Sequence, residues 1–234
     1  MTRHLTRDLE GLERRLLLLA GEVEEAVRRS VRALLERRME LAERVIEGDD
    51  SIDRLEVEIE DECLKMLALH QPVASDLRFI VACLKGASDL ERIGDLAGSI
   101  AERAVSFAAR SEMPLPAQLH EMVEACARML RTAIESFVRG DSSEARALLV
   151  ADERIDKLHR DVIQACLSAM HDDPAAIEQA VDLISISKNL ERIGDHVTNI
   201  AEDVVYLVEG DIIRHHDLLA RRLEPADKPR PSAT

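Results

Sequence analysis

The chain of 234 residues has no Trp, one Tyr and three Phe, so that aromatic residues make up only 2% of it. Sheets draw on aromatic and β-branched side chains, whereas Ala, Leu, Glu and Arg favour helices, so this scarcity excludes an all-β architecture and predicts an all-α one. Its four cysteines, Cys63, Cys83, Cys126 and Cys166, never approach CxxC spacing. In a helical chain without a signal peptide they read as reduced core thiols, which places the protein in the cytoplasm. The N-terminal apolar run, Leu16 to Ala20, falls far short of the roughly twenty residues that a membrane span requires, which leaves peripheral attachment as the only membrane contact. Bases are also scarce, 31 against 46 acids, and the net charge of −15 opposes binding to a phosphate backbone, so nucleic acid is not an expected partner.

What the chain has in abundance is hydrophobic residues, 46% of the total, arranged with helical periodicity. Leu5, Leu9, Leu12, Leu16, Leu19, Val23, Ala26 and Ser30 follow steps of four and three, the seam of a long first helix. A second stripe, Ile52, Leu55, Ile59, Cys63 and Met66, returns as Ile155, Leu158, Val162, Cys166 and Met170. The sextet Leu90-Glu91-Arg92-Ile93-Gly94-Asp95 returns unchanged as Leu190-Glu191-Arg192-Ile193-Gly194-Asp195, with Ile-Ala-Glu following both copies at 100 to 102 and 200 to 202. An internal duplication is visible, and it predicts two similar units.

Breakers mark the units. Gly140 and Asp141 end one helix and cap the next, which by the repeat offset puts the first helix boundary near residue 38. Pro72 and Pro174 open the third helix of each unit, and Ser111 to Pro116 joins the units. The expected architecture is all-α, two pseudo-symmetric three-helix bundles at residues 1–110 and 115–210. A short helix from Asp211 to Leu223 and a loose tail then complete residues 211–234.

Acidic pairs four apart recur in matched positions: Asp49 with Asp53, Glu91 with Asp95, Asp152 with Asp156, and Glu191 with Asp195. Residues four apart on a helix share a face, and like charges there repel, so four repeated pairs call for cations between them. Each pair lies about 100° from its apolar stripe, at the edge where helices two and three of a unit meet. Clustered carboxylates without cysteine suit magnesium, manganese, calcium or iron rather than zinc in a thiolate site. A single such pair would read as a solvated face. A ferritin-like di-iron site fails because Asp156-Lys157-Leu158-His159 has Asp53-Arg54-Leu55-Glu56 as its counterpart. Gly94 and Gly194, costly inside a helix, imply either close helix approach or a bulky cluster beside the backbone. A carboxylate-bridged metal enzyme, a metal-storage bundle and a metal-free scaffold are the competing functions.

With Gln71-Pro72-Val73-Ala74-Ser75-Asp76-Leu77-Arg78 added to these motifs, residues 5 to 217 resemble the PhoU family. The resemblance implies a cytoplasmic, non-enzymatic regulator of phosphate uptake that restrains the phosphate-starvation response. Its partners would be the ATPase of a phosphate ABC transporter and a sensor histidine kinase, its membrane contact would run only through them, and a homodimer is compatible with it. The resemblance further implies multinuclear clusters of divalent or trivalent metal, such as iron, manganese or magnesium. Carried over by position, their ligands are Asp49, Asp53, Glu91 and Asp95 in the first unit and Asp152, Asp156, Glu191 and Asp195 in the second. His196, where the first unit has Leu96, leaves room for unlike ligand sets.

Overall fold

The computed structural model describes residues 3–110 and 113–213. Six helices follow one another: α1 Arg3–Glu36, α2 Met39–His70, α3 Ala74–Ala108, α4 Ala117–Arg139, α5 Ser142–Asp172 and α6 Ile177–Glu209. Helices α1 to α3 pack as one unit and α4 to α6 as the other, and the described residues contain no strand. Residues 211 to 213 are not helical, and the remainder of the expected terminal helix and tail lies outside the described residues.

The apolar stripes are where periodicity puts them. Leu12, Leu16, Leu19 and Val23 are buried, while Leu9 and Ala26 are only partly so, because the seam drifts onto Val27 and Val31 along this long helix. Ser30 sits in the core with its hydroxyl donating to Val27 O at 2.9 Å, so it carries no unmet polar group inward. Buried side chains of all six helices form one continuous cluster. The four cysteines lie free within it, and burial pushes the Cys166 thiol up to about 11.

Helix ends show how similar folds are reached with different residues. The α4–α5 corner turns on Gly140 at φ 62°, and the Asp141 carboxylate accepts from Glu144 N at 3.0 Å. Its counterpart is Arg37, a non-glycine held at φ 53°. The Arg37 guanidinium donates to Phe107 O at 3.0 Å and Arg110 O at 3.2 Å, so the strained residue closes the open end of α3. The prolines act less directly than their spacing suggests. Pro72 precedes α3 by two residues, and Pro174 begins a 3-10 turn, Pro174–Ala176, that leads into α6.

The units meet through α3 and α6, which run antiparallel. Lys85 pairs with Asp203 at one end, His196 Nδ1 meets Asp89 at 2.8 Å near the middle, and Arg110 reaches Asp182 at 2.6 Å at the other. Antiparallel pairing about this midpoint brings the two copies of the repeated sextet past one another at the centre of the molecule. That crossing positions the candidate site.

Candidate metal centre

The Glu91 and Asp95 carboxylates leave α3 at the edge of its core stripe, and Asp49 and Asp53 leave α2 at the facing edge. Ligand oxygens of Asp49, Asp53 and Asp95 all lie within 4.8 Å of one another. Asp53 is exposed and the other two are half-buried, so the group opens to solvent. Burial first, then the charges of Asp53 and Asp95, raises the Asp49 carboxyl above its ordinary range. Glu91 is raised for the same reasons, burial leading and Asp95 following, with Arg92 opposing. These are carboxylates forced together, and a bound cation would relieve their repulsion.

Some relief already comes from side chains. Arg92 lies between the members of its pair, 3.1 Å from Asp95 and 3.4 Å from Glu91. Two further acids, absent from the expected set, belong to this edge. Burial, then the charge of Glu60 and after it that of Asp53, raises Glu56, and Glu102 acts on Asp49. Glu102 ends the repeated Ile-Ala-Glu, so the signal for it was printed twice in the chain.

The second unit is built differently. Burial and the charges of Glu191 and Asp156 raise the Asp195 carboxyl, which places these three side chains on one edge. Lys188 already holds Glu191 at 2.6 Å. His159, in the place of Glu56, faces Glu191 and Asp156, and burial lowers its imidazole from the ordinary range. The failed symmetry of that motif is real, and His159 Nδ1 meets the Ser187 hydroxyl at 3.0 Å. Asp152 departs most: its buried Oδ1 packs on the α6 backbone, 2.7 Å from where a Cβ on Gly194 would stand. Among the described residues only the first unit gathers three ligand atoms within 4.8 Å. His196 is not turned to this cluster as a ligand; it spans the α3·α6 seam to Asp89, which also accepts from Asn199 at 3.1 Å.

The glycines are explained by close approach. A Cβ on Gly94 would stand 3.1 Å from two carbons of Ile52, just as one on Gly194 would meet Asp152. Ile52 and Asp152 both come from the helix that carries the other acidic pair, so each glycine sets how near the two acidic edges come.

The PhoU domain matches the chain twice, over residues 16–104 and 119–204. The chain belongs to the PhoU family. A PhoU homolog of Pseudomonas aeruginosa, named as a phosphate-specific transport system accessory protein, is 36% identical over 229 residues, covering 96% of this chain and 95% of its own. The Escherichia coli K12 PhoU of the same name is 31% identical over 89% of this chain and 86% of its own. The crystal structure of PhoU from P. aeruginosa superposes with a TM-score of 0.85 at 37% identity, covering 88% of this chain and 99% of that one. The phosphate transport system regulatory protein PhoU from Streptococcus pneumoniae gives 0.84 at 30% identity, covering 90% and 99%. Membership in PhoU sets the chain among accessory and regulatory proteins rather than enzymes.

Proposed function

We propose that this protein is an accessory regulator of a phosphate-specific transport system and that it carries metal at the edges of α2 and α3. The observation that supports the regulatory half is the family match over both units. The metal half is supported by three convergent carboxylates whose oxygen-only donor set suits magnesium, manganese or iron. Asp49, Asp53 and Asp95 would hold the ion, with Glu91, Glu56 and Glu102 beside them, while Asp156, Glu191 and Asp195 would serve the second unit. Bound metal would neutralise an edge where four helix-borne acids face each other, and so fix the spacing of α2 and α3.

No helix among the described residues is long and apolar enough to cross a membrane. The protein therefore acts by contact, at a cytoplasmic surface of the transporter ATPase or of a sensor kinase, and restrains the starvation response when phosphate is plentiful. An acidic chain gains nothing from anionic lipid, so these contacts are protein contacts. The competing metal-enzyme reading wants ligands screened from water, and Asp53 is exposed. Reporter expression from a starvation-responsive promoter in a deletion strain tests the role. Constitutive expression in high phosphate is expected, and normal repression would overturn the assignment.

A further inference from the structure

Against the three-carboxylate group of the first unit lies a cleft of 370 Å³, lined among others by Asp49, Asp95, Glu102, Ser99, Arg92 and Arg192. Arg192 comes from the other unit, delivered by the crossing of α3 and α6. Among the described residues it makes no ion pair or hydrogen bond, although it stands at a cleft that three carboxylates line. Arg92 shares the same wall while held to Asp95 at 3.1 Å. Two guanidiniums and a hydroxyl thus meet beside oxygen ligands, a donor set that matches the planar forks and short polar contacts by which proteins hold phosphoryl oxygens.

The second unit has spent the matching positions otherwise. Asn199, where the first unit has Ser99, and His196, where it has Leu96, are both committed to Asp89. Thr198 stands for Gly98 and donates to Asp195 O at 2.7 Å. Among the described residues, the first unit alone leaves its hydroxyl and the visiting arginine at this cleft.

Charge decides when an anion can enter. With Asp53 and Glu91 included, five carboxylates oppose two guanidiniums, so the metal-free cleft is net negative and repels anions. One divalent ion removes most of that excess, and a trivalent ion cancels it. We infer that this cleft takes a tetrahedral oxyanion, inorganic phosphate, only when metal occupies Asp49, Asp53 and Asp95. The inference rests on the metal reading above, and it makes the first unit a coincidence sensor for metal and phosphate. Linkage requires the converse: phosphate tightens metal by the same factor that metal tightens phosphate.

Calorimetry on the full chain in phosphate-free buffer tests it in two stages. Mn²⁺ is titrated first, then orthophosphate with and without Mn²⁺, on wild type, Arg192→Gln and Arg192→Lys. Phosphate should bind only the Mn²⁺-loaded protein. Arg192→Gln should weaken that binding roughly tenfold, the loss expected of one charge-assisted pair. Arg192→Lys should fall between, and Mn²⁺ binding measured without phosphate should be retained in both variants, tighter in Arg192→Gln because a positive charge has left the cleft. Mn²⁺ binding with no phosphate binding would overturn this inference while leaving the metal reading intact. Equal phosphate binding with and without Mn²⁺, or no loss in Arg192→Gln, would overturn the gating or the arginine's part. Tighter binding of O-phosphoserine than of orthophosphate would overturn the free ion as the ligand. Failure to bind Mn²⁺ would sink the metal reading and this inference with it.

Discussion

The first unit presents the acids of its α2–α3 edge with one arginine of its own among them, whereas the second has set a lysine, a histidine and an inward-turned aspartate at the corresponding edge. Asp49 faces Asp53 and Asp95 across open space, but Asp152 is pressed on the backbone beside Gly194. Glu56 is answered by His159, and Leu96 by a His196 that bridges to the opposite unit. Duplicated scaffolds keep what every copy needs for packing and diverge where side chains meet solvent or the other copy. Identical sextets therefore do not make identical sites.

The largest effect expected concerns what the units share. Ile93 and Ile193 are fully buried in a core that runs through both. Truncating either to Ala should cost about 2–5 kcal/mol and move a single melting transition. Two separate transitions in calorimetry would break the shared-core comparison.

Next comes metal. If Mn²⁺ is present at about a hundred times its Kd, binding to the native state adds about 2.7 kcal/mol, or about 5–10 °C for a chain of this size. Asp95→Asn should remove most of that shift and Asp195→Asn much less, because among the described residues only the first unit gathers three carboxylate oxygens within 4.8 Å. Equal losses would erase the difference between the units.

The apolar stripes and the duplication were legible because helical periodicity is written locally, as with Leu119, Met122, Cys126 and Phe137, all buried as spaced. Positions of the acidic pairs were legible for the same reason. Their orientation was not, because a neighbour decides it: Asp152 lies inward at the one place where Gly194 leaves room. Nor does any local signal say that α3 meets α6 head to tail. Arg192, at the first unit's cleft, depends wholly on that long-range pairing.

A smaller effect separates metal-free from loaded protein by pH. The folded state binds protons at Asp49, Glu91 and Asp195 more tightly than the unfolded chain does, since all three are raised. Their contribution favours the fold at mildly acid pH and is lost as pH rises through the window from the ordinary carboxylate value to the raised one. Asp49→Asn should flatten that fall in metal-free protein, and melting curves across the window would show it. An unchanged slope would mean that Asp49 is not strained.

The smallest effects come from two glycines on α3. Gly86→Ala should stabilise by about 1 kcal/mol, because a Cβ there meets nothing within 4 Å and helix propensity alone changes. Gly94→Ala should lose about 1 kcal/mol after the same gain, because it must push Ile52 aside. Denaturant midpoints moving the same way would remove the close-approach explanation.

The central crossing carries a further consequence, for self-pairing. Along it, α3 and the turn just beyond it supply the bases Lys85, Arg103 and Arg110 against Asp182 and Asp203 of α6, while Asp89 of α3 faces His196 of α6. Shifted by the repeat spacing, a pairing of α3 with a second α3 would set Lys85 against Arg103, and a pairing of α6 with itself would set Asp182 against Asp203. At these positions each central helix is matched in charge to the other and not to a second copy of itself.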